Sequence, residues 1–411
     1  MSEQGPIVVV TSREDDSLAG TVAGIAMFPL LEVGWSEAVD AVTRLGPAAV
    51  LAGKGGDDAF RDLARTLADT APYVPLIALD PEPPLPPNAL PFAGAAASPA
   101  RLIARLNAAL RVRSLHATAL RRLAEGAFGT RMPQTDPLFE ATVLLMGRGA
   151  CYPALSVALG ETMGVVGALS IEAAARHLNA RELDGIVIGE GFTPRVVDAF
   201  LTVLAEDTRF RNLPVVLGGM AGLAKDHDLA NLEICAGEPP AIAASALPLI
   251  RQHAFAARLG RVLKAIDAGG LLDPRTGLLT REAFHRDFAA AVADAQARGA
   301  GLAAARIALA DGAVSERMRL DAARIVARMM RQMDFATLDG DGAIVIAFAD
   351  TGVRNAHAIA RRMASVLKHT ALGSRRERRL DPHVAVTALQ ASDSAAALLA
   401  RLQDDAHRAA S

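Results

Sequence analysis

The residue pattern predicts an α/β chain in which two doubly wound parallel-sheet units in tandem are followed by a smaller α+β unit. Three observations carry this. From residue 6 to about residue 110, short β-branched runs alternate with helical stretches. The same order returns after residue 140, which marks an internal duplication. Beyond residue 271 the alternation gives way to a hairpin between helices.

The first unit reads PIVVVTS, SEAVDAVTRL, AAVLAG, DDAFRDLARTLADT, VPLIALD and SPARLIARLNAALR, strand and helix in turn. The stretch from Pro81 to Pro91 is proline-rich and reads as a surface loop with no helix of its own. The second unit repeats the order with ATVLLMG, SIEAAARHL, DGIVIGEG, TPRVVDAFLTVLAED and LPVVLGG, then an Ala-rich helix from about Pro240 to Leu263. Between them RVRSLHATALRRLAEGAF is basic and helical, with Leu115, Leu120 and Leu123 near one face, and reads as a linker helix. In the third unit a strand (LAAARIALA) and a long helix (SERMRLDAARIVARMMRQM) precede the hairpin FATL, DGDG, AIVIAFAD, whose Asp-Gly steps signal a tight turn. The expected boundaries are 1–112, a linker helix 113–136, 137–255, a linker helix 256–270, and 271–411.

A chain of 411 residues is too long for one core, so each unit is expected to bury its own interior. A formal net charge of -2 supplies no global footprint for nucleic acid or an anionic membrane. Cys151 and Cys235 have no CxxC spacing and no histidine cluster beside them, which argues against a zinc site or a disulfide framework and fits a reducing cytoplasm. No run of about 18 apolar residues and no basic leader is present, so neither membrane insertion nor secretion is expected.

Asp273-Pro-Arg-Thr-Gly-Leu-Leu-Thr-Arg281 matches the DxLTGLxNR opening of GGDEF domains, and the third unit resembles that family of diguanylate cyclases. The first two units resemble response-regulator receiver domains of flavodoxin-like (CheY-like) fold. The order is that of PleD-like proteins. This resemblance implies which residues should carry chemistry, and most are missing. A receiver needs carboxylates after its first strand and an aspartate phosphoacceptor after its third. Thr11, Ser12 and Arg13 follow the first strand here, and Gly53 stands at the acceptor position. The second copy offers Gly147 and Arg148, then Gly189, with Glu190 expected to point elsewhere. Both therefore read as pseudo-receivers. The acidic run Glu14, Asp15, Asp16 reads as a solvated loop, and Gly53-Lys54-Gly55-Gly56 as a strand-to-helix turn lacking phosphate-loop spacing.

In the third unit, alignment on Asp350-Thr351 places Gly340, Asp341, Gly342, Ala343 and Ile344 where the GGDEF signature would stand, so one glycine survives and both acidic residues are replaced. The strand ARIALAD runs through Asp311 into the helix without the family's second metal and guanine stretch, and Ala409 or Ala410 replaces its C-terminal lysine. The resemblance thus implies no enzyme, no metal and no cofactor. What is kept is Arg331-Gln332-Met333-Asp334, an RxxD motif at the place of the family's allosteric site, with Arg362 in the position of its second arginine. An i,i+3 ion pair at a helix end is the plainer account of RxxD, and Arg328 and Arg361 nearby read as solvated helix residues. Guanidinium forks and a carboxylate suit the guanine edges and phosphates of cyclic di-GMP. The pattern is closest to PopA-type members of the family. That resemblance implies a homodimeric cyclic di-GMP effector recruiting protein partners at the cell pole, in regulated proteolysis linked to the cell cycle. A nucleotide-independent dimeric scaffold is the alternative.

Overall fold

The computed structural model describes residues 5–12, 28–82, 85–93, 99–124, 131–219, 227–309, 314–331, 333–369 and 380–410. Arg13, the acidic run Glu14–Asp16 and Asp311 lie outside the described residues.

The first unit comprises β1 (Ile7–Thr11), β2 (Leu30–Gly34), α1 (Ala38–Leu45), β3 (Ala49–Ala52), α2 (Asp57–Ala68), β4 (Leu76–Leu79), β5 (Ala89–Phe92) and α3 (Pro99–Ala124). Its five strands are parallel in the order β2-β1-β3-β4-β5, the flavodoxin-like sequence 2-1-3-4-5. A 3₁₀ turn, Pro137–Glu140, opens the second unit. It continues with β6 (Thr142–Met146), α4 (Tyr152–Gly160), β7 (Gly164–Ala168), α5 (Ile171–Ala180), β8 (Gly185–Ile188), α6 (Pro194–Glu206), β9 (Val215–Gly218), β10 (Leu232–Cys235) and α7 (Pro239–Asp267). Its order, β10-β9-β8-β6-β7, is the same topology read from the opposite edge. The third unit contains α8 (Arg281–Arg298), β11 (Leu302–Leu309), α9 (Glu316–Met329), β12 (Phe335–Leu338), β13 (Ile344–Ala349), α10 (Val353–His369), β14 (Pro382–Ala388) and α11 (Ala395–Ala410). Its four strands form an antiparallel sheet, β12-β13-β11-β14.

Central strands β3, β4, β6, β8 and β9 are buried at every residue, as parallel strands with helices on both faces must be. Their continuous apolar runs are why they are legible in the sequence. Edge strands β2 and β10 are half exposed, and β7 carries two glycines, so none shows such a run. Strand β5 lies within the segment expected to be a loop. It is an edge strand that pairs only with β4, where a proline is tolerated because no neighbour needs its missing N–H.

The largest departure from expectation is that the first two units bury separate cores only on their outer faces, while their inner faces are merged. Leu102, Leu106 and Ala109 of α3 join Ile242, Ala246 and Leu249 of α7 in one cluster that also takes in Ile7 of β1 and Val143 of β6. The two sheets thus share a single inner layer made by the two long helices. The anticipated boundaries at 112 and 255 fall inside these helices, which run unbroken for 26 and 29 residues. The expected linkers fall on their second halves, although α3 ends at Ala124 and residues 131–136 are not helical, and Val112 and Ala119 pack there against Leu259 and Val262. A helix of that length spans roughly 40 Å, so one element covers a sheet and still projects toward the next unit.

Arg105 fastens this seam. Its side chain is completely buried, and Nε donates to Ala230 O at 2.7 Å and Nη2 to Leu232 O at 2.8 Å. Nη2 also pairs with Glu233 Oε2 at 3.2 Å, and Nη1 donates to Pro91 O. Glu233 in turn accepts the Ala93 N–H at 2.9 Å, so the pair ties both edge strands together. Burial pulls the Arg105 guanidinium down and pushes the Glu233 carboxyl up, with each charge opposing the other's shift.

Replacing Arg105 with alanine leaves Glu233 charged and unpaired in the interior. The expected loss is about 3–5 kcal/mol of stability, read by denaturant unfolding, with both α/β units melting in one transition.

Candidate functional site

The opening motif folds against the hairpin. Gly277 turns the chain at φ +77°, where glycine is free of Cβ strain, and its N–H donates to Asp273 O at 2.8 Å. Leu279 N–H then donates to Ala336 O of β12 at 2.9 Å, and Thr337 Oγ1 donates to Leu279 O at 2.9 Å. This brings Arg281 against the turn: a Cβ on Gly340 would stand 2.9 Å from Arg281 Nη1.

The turn between β12 and β13 is closed by Asp339 N–H donating to Ala343 O at 2.8 Å, with Gly342 at φ +85°. Each oxygen of its two carboxylates has a partner within the protein. Asp339 Oδ1 accepts the Gly340 N–H at 2.8 Å, and Asp341 Oδ1 accepts the Ala343 N–H at 3.0 Å. The remaining oxygens meet one guanidinium, that of Arg306 on β11, at 3.2 Å from Asp339 Oδ2 and in contact with Asp341 Oδ2. Arg306 is only 7% exposed. Burial alone would raise the Asp339 carboxyl, but the Gly340 N–H and Arg306 hold it below its ordinary value. Where two carboxylates could converge on a cation, a fixed side-chain cation already sits. Ala343 and Ile344 are buried and apolar, and among the described residues no cluster of three or more His, Cys, Asp or Glu is arranged to hold a metal ion.

The RxxD segment does not extend the preceding helix as anticipated. Helix α9 ends at Met329, because Met330 adopts an extended conformation (φ -70°, ψ 148°). Arg331 and Asp334 therefore lie in a turn, joined by Asp334 N–H donating to Arg331 O at 3.1 Å. The side-chain ion pair of the plainer account does not form. Arg331 is exposed, whereas Asp334 is 7% exposed and neither carboxylate oxygen has a well-formed hydrogen bond. Burial raises this carboxyl, and the Arg331 charge with the nearby Arg331 and Ala349 N–H groups opposes that only in part. Arg362 stands exposed on α10, which packs with α9 on the same sheet face. No hydrogen bond joins it to Asp334. Arg328 and Arg361 are exposed on the two helices. Met333, 57% exposed between Arg331 and Asp334, was not singled out from the sequence.

Gly53 and Gly189, which the resemblance marks as acceptor positions, are structurally equivalent. Gly53 N–H donates to Val10 O at 2.9 Å and Gly189 N–H to Met146 O at 2.8 Å, each to the first strand of its sheet. Beside Gly53 a cavity of about 290 Å³ is lined in part by Lys54, Phe60, Asp80 and Leu85. The Gly53–Gly56 loop is held as a strand-to-helix turn by Trp35, whose Nε1 donates to Lys54 O at 2.9 Å, and Gly55 leaves no room there for a Cβ. Glu190 departs from its expected direction. Strand β8 ends at Ile188, so alternation no longer governs residue 190, and its side chain folds back over Gly149 and Gly219. There it hydrogen-bonds Cys151, whose thiol is pushed up by desolvation and by that carboxylate.

No protein-family model matches the chain, and no curated protein matches it. Among solved structures, a sensory box/GGDEF family protein from Caulobacter crescentus CB15 is similar at 23% identity, over 34% of this chain and 97% of that one, with a TM-score of 0.31. The coiled coil and GGDEF domain of DgcB from Caulobacter crescentus, solved with c-di-GMP, shares 16% identity over 37% of this chain and 87% of that one (TM-score 0.33). The FimX GGDEF domain from Pseudomonas aeruginosa shares 20% over 34% and 93% (TM-score 0.31).

Two outcomes follow from these carboxylates. With its folded pKa above the unfolded value, Asp334 destabilises the fold progressively as pH rises from below its unfolded pKa through its folded one. Asp334→Asn should be more stable than the parent at pH 7, with the difference vanishing in acid, as followed by thermal melts across pH. Arg306→Ala should lose about 1–3 kcal/mol in denaturant titration, because the partly buried guanidinium and its charge-assisted bonds to both turn carboxylates are removed.

Proposed function

We propose that this chain is a cyclic di-GMP effector, built on a GGDEF-like unit that does not synthesise the dinucleotide and carried by two pseudo-receiver units. The observation that carries the reading is the Asp334 carboxylate, buried without a well-formed hydrogen bond beside the exposed Arg331. A buried, unsatisfied carboxylate is costly, and a ligand able to donate hydrogen bonds to it recovers that cost. Guanine presents N–H donors of that kind, and its O6/N7 edge and the phosphates suit a guanidinium fork. Arg331 supplies one fork at the site. Arg362, exposed on α10, is the second fork that the resemblance assigns to this ligand.

Lack of cyclisation is supported by the turn. Phosphoryl transfer depends on cations that neutralise charge building on the phosphates. Asp339 and Asp341 are committed to Arg306, and the next two positions are Ala343 and Ile344. For the pseudo-receivers, the support is glycine at both acceptor positions, which leaves no nucleophile there. Protein partners, a polar location and a homodimer remain part of the reading through the resemblance. The seam between the first two units consumes the α3 and α7 faces within one chain, so a homodimer must use other surfaces.

Isothermal titration of the full chain with cyclic di-GMP should show binding, and Arg331→Ala should weaken it about 10-fold or more, the worth of a charge-assisted hydrogen bond. Wild type silent up to about 100 µM ligand would overturn the reading in favour of the nucleotide-independent scaffold. Incubation with GTP and Mg²⁺ should yield no cyclic dinucleotide, and turnover would overturn the non-enzymatic part. Because the ligand donates to ionised Asp334, affinity should rise with pH through that group's raised pKa.

A further inference from the structure

We propose that the third unit is held on the second by a polar latch along α9 and swings away about Gly269 and Gly270 when the latch opens. This rests on contacts between the units and not on the ligand reading. Arg317, Asp321 and Arg324 are spaced i, i+4 and i+7 and so share one face of α9. That face meets the second unit. Arg317 Nε donates to Phe139 O at 2.6 Å and its Nη2 to Thr162 O at 2.9 Å. Asp321 Oδ2 pairs with Arg181 Nη1 at 3.2 Å, and Arg324 Nη2 with Glu140 Oε2 at 2.7 Å. Glu140 simultaneously lies 3.3 Å from Arg258 and 3.3 Å from Arg261 of α7.

This contact differs in kind from the apolar seam between α3 and α7. Charged groups dominate it, and it is imperfectly satisfied: Arg181 has no exposed side-chain surface, yet its Nε and Nη2 have no hydrogen-bond partner. Burial pushes the Asp321 carboxyl up and the Arg181 guanidinium down, so each charge sits there against its desolvation. Buried pairs of this sort contribute little net stability while strongly disfavouring the loss of one partner. They hold a defined geometry without making separation prohibitive.

A pivot lies at the junction. Helix α7 ends at Asp267, and Gly269 and Gly270 follow at φ +65° and +77°, successive positions at which glycine turns without Cβ strain. Element-terminal residues able to absorb large dihedral changes are where rigid bodies hinge.

Asp321→Arg places a guanidinium against Arg181 and should release the unit while leaving each core intact. Small-angle scattering of the full chain should give wild type a radius of gyration near ~22 Å, the size of a compact chain of 411 residues, and the variant a clearly larger value. Circular dichroism of the variant should match wild type, and proteolysis near residue 270 should run about tenfold faster. The charge swap Arg181→Asp with Asp321→Arg should restore wild-type scattering. A folded Asp321→Arg variant scattering like wild type would overturn the proposal, as would a swap that stays expanded. Should Asp321→Arg not fold, Arg317→Glu at the rim decides in the same way: expansion supports the latch and unchanged scattering overturns it.

Discussion

A guanidinium removed entirely from water sits at the centre of this molecule. Arg105 reaches from one long helix across the seam to backbone carbonyls and a carboxylate of the second sheet, and every one of its donor groups is taken. Such a group has one acceptable position, because each displaced bond leaves buried polarity uncompensated. Apolar packing between α3 and α7 supplies the driving force for the seam, but packing alone tolerates sliding. The charge sets the register, and with it where the ends of both helices point.

Those ends carry the rest. Past Arg258 and Arg261, the far end of α7 leads through two glycines to the third unit, whose opening motif folds directly onto its hairpin. The gradient of contact chemistry along the chain is informative. An apolar seam with one buried ion pair joins the first two units, and an imperfectly satisfied polar contact joins the second and third. The first behaves as interior and the second as a surface that happens to be covered.

Within the third unit three aspartates near one hairpin have two fates. Asp339 and Asp341 are held by turn N–H groups and by Arg306, an arrangement that stabilises the turn. Asp334 is buried with no well-formed hydrogen bond to either carboxylate oxygen, the Arg331 and Ala349 N–H groups lying only nearby. The difference arises from which strand residue faces each carboxylate. Strand β11 places Arg306 under the turn, whereas Asp334 sits where the chain leaves α9 early and enters β12.

Central strands, the duplicated order and the hairpin were legible in the sequence, because each is a local pattern of apolar runs or Asp-Gly steps. RxxD was also legible as letters, but not as chemistry. Whether Arg331 and Asp334 pair depends on Met330 ending the helix, and a turn of that kind is decided by packing. Edge strands β2, β7 and β10 and the fold-back of Glu190 escaped because alternation is uninformative at edges and beyond strand ends. By itself the sequence determined the central strands, their alternation with helices and the glycines at residues 53 and 189, since these follow from residue types in order. Tertiary structure alone decided that two units share one inner layer, that Arg306 fills the hairpin, and that Asp334 is buried without a well-formed hydrogen bond. These depend on which surfaces desolvate one another across long stretches of chain, and no local pattern records that.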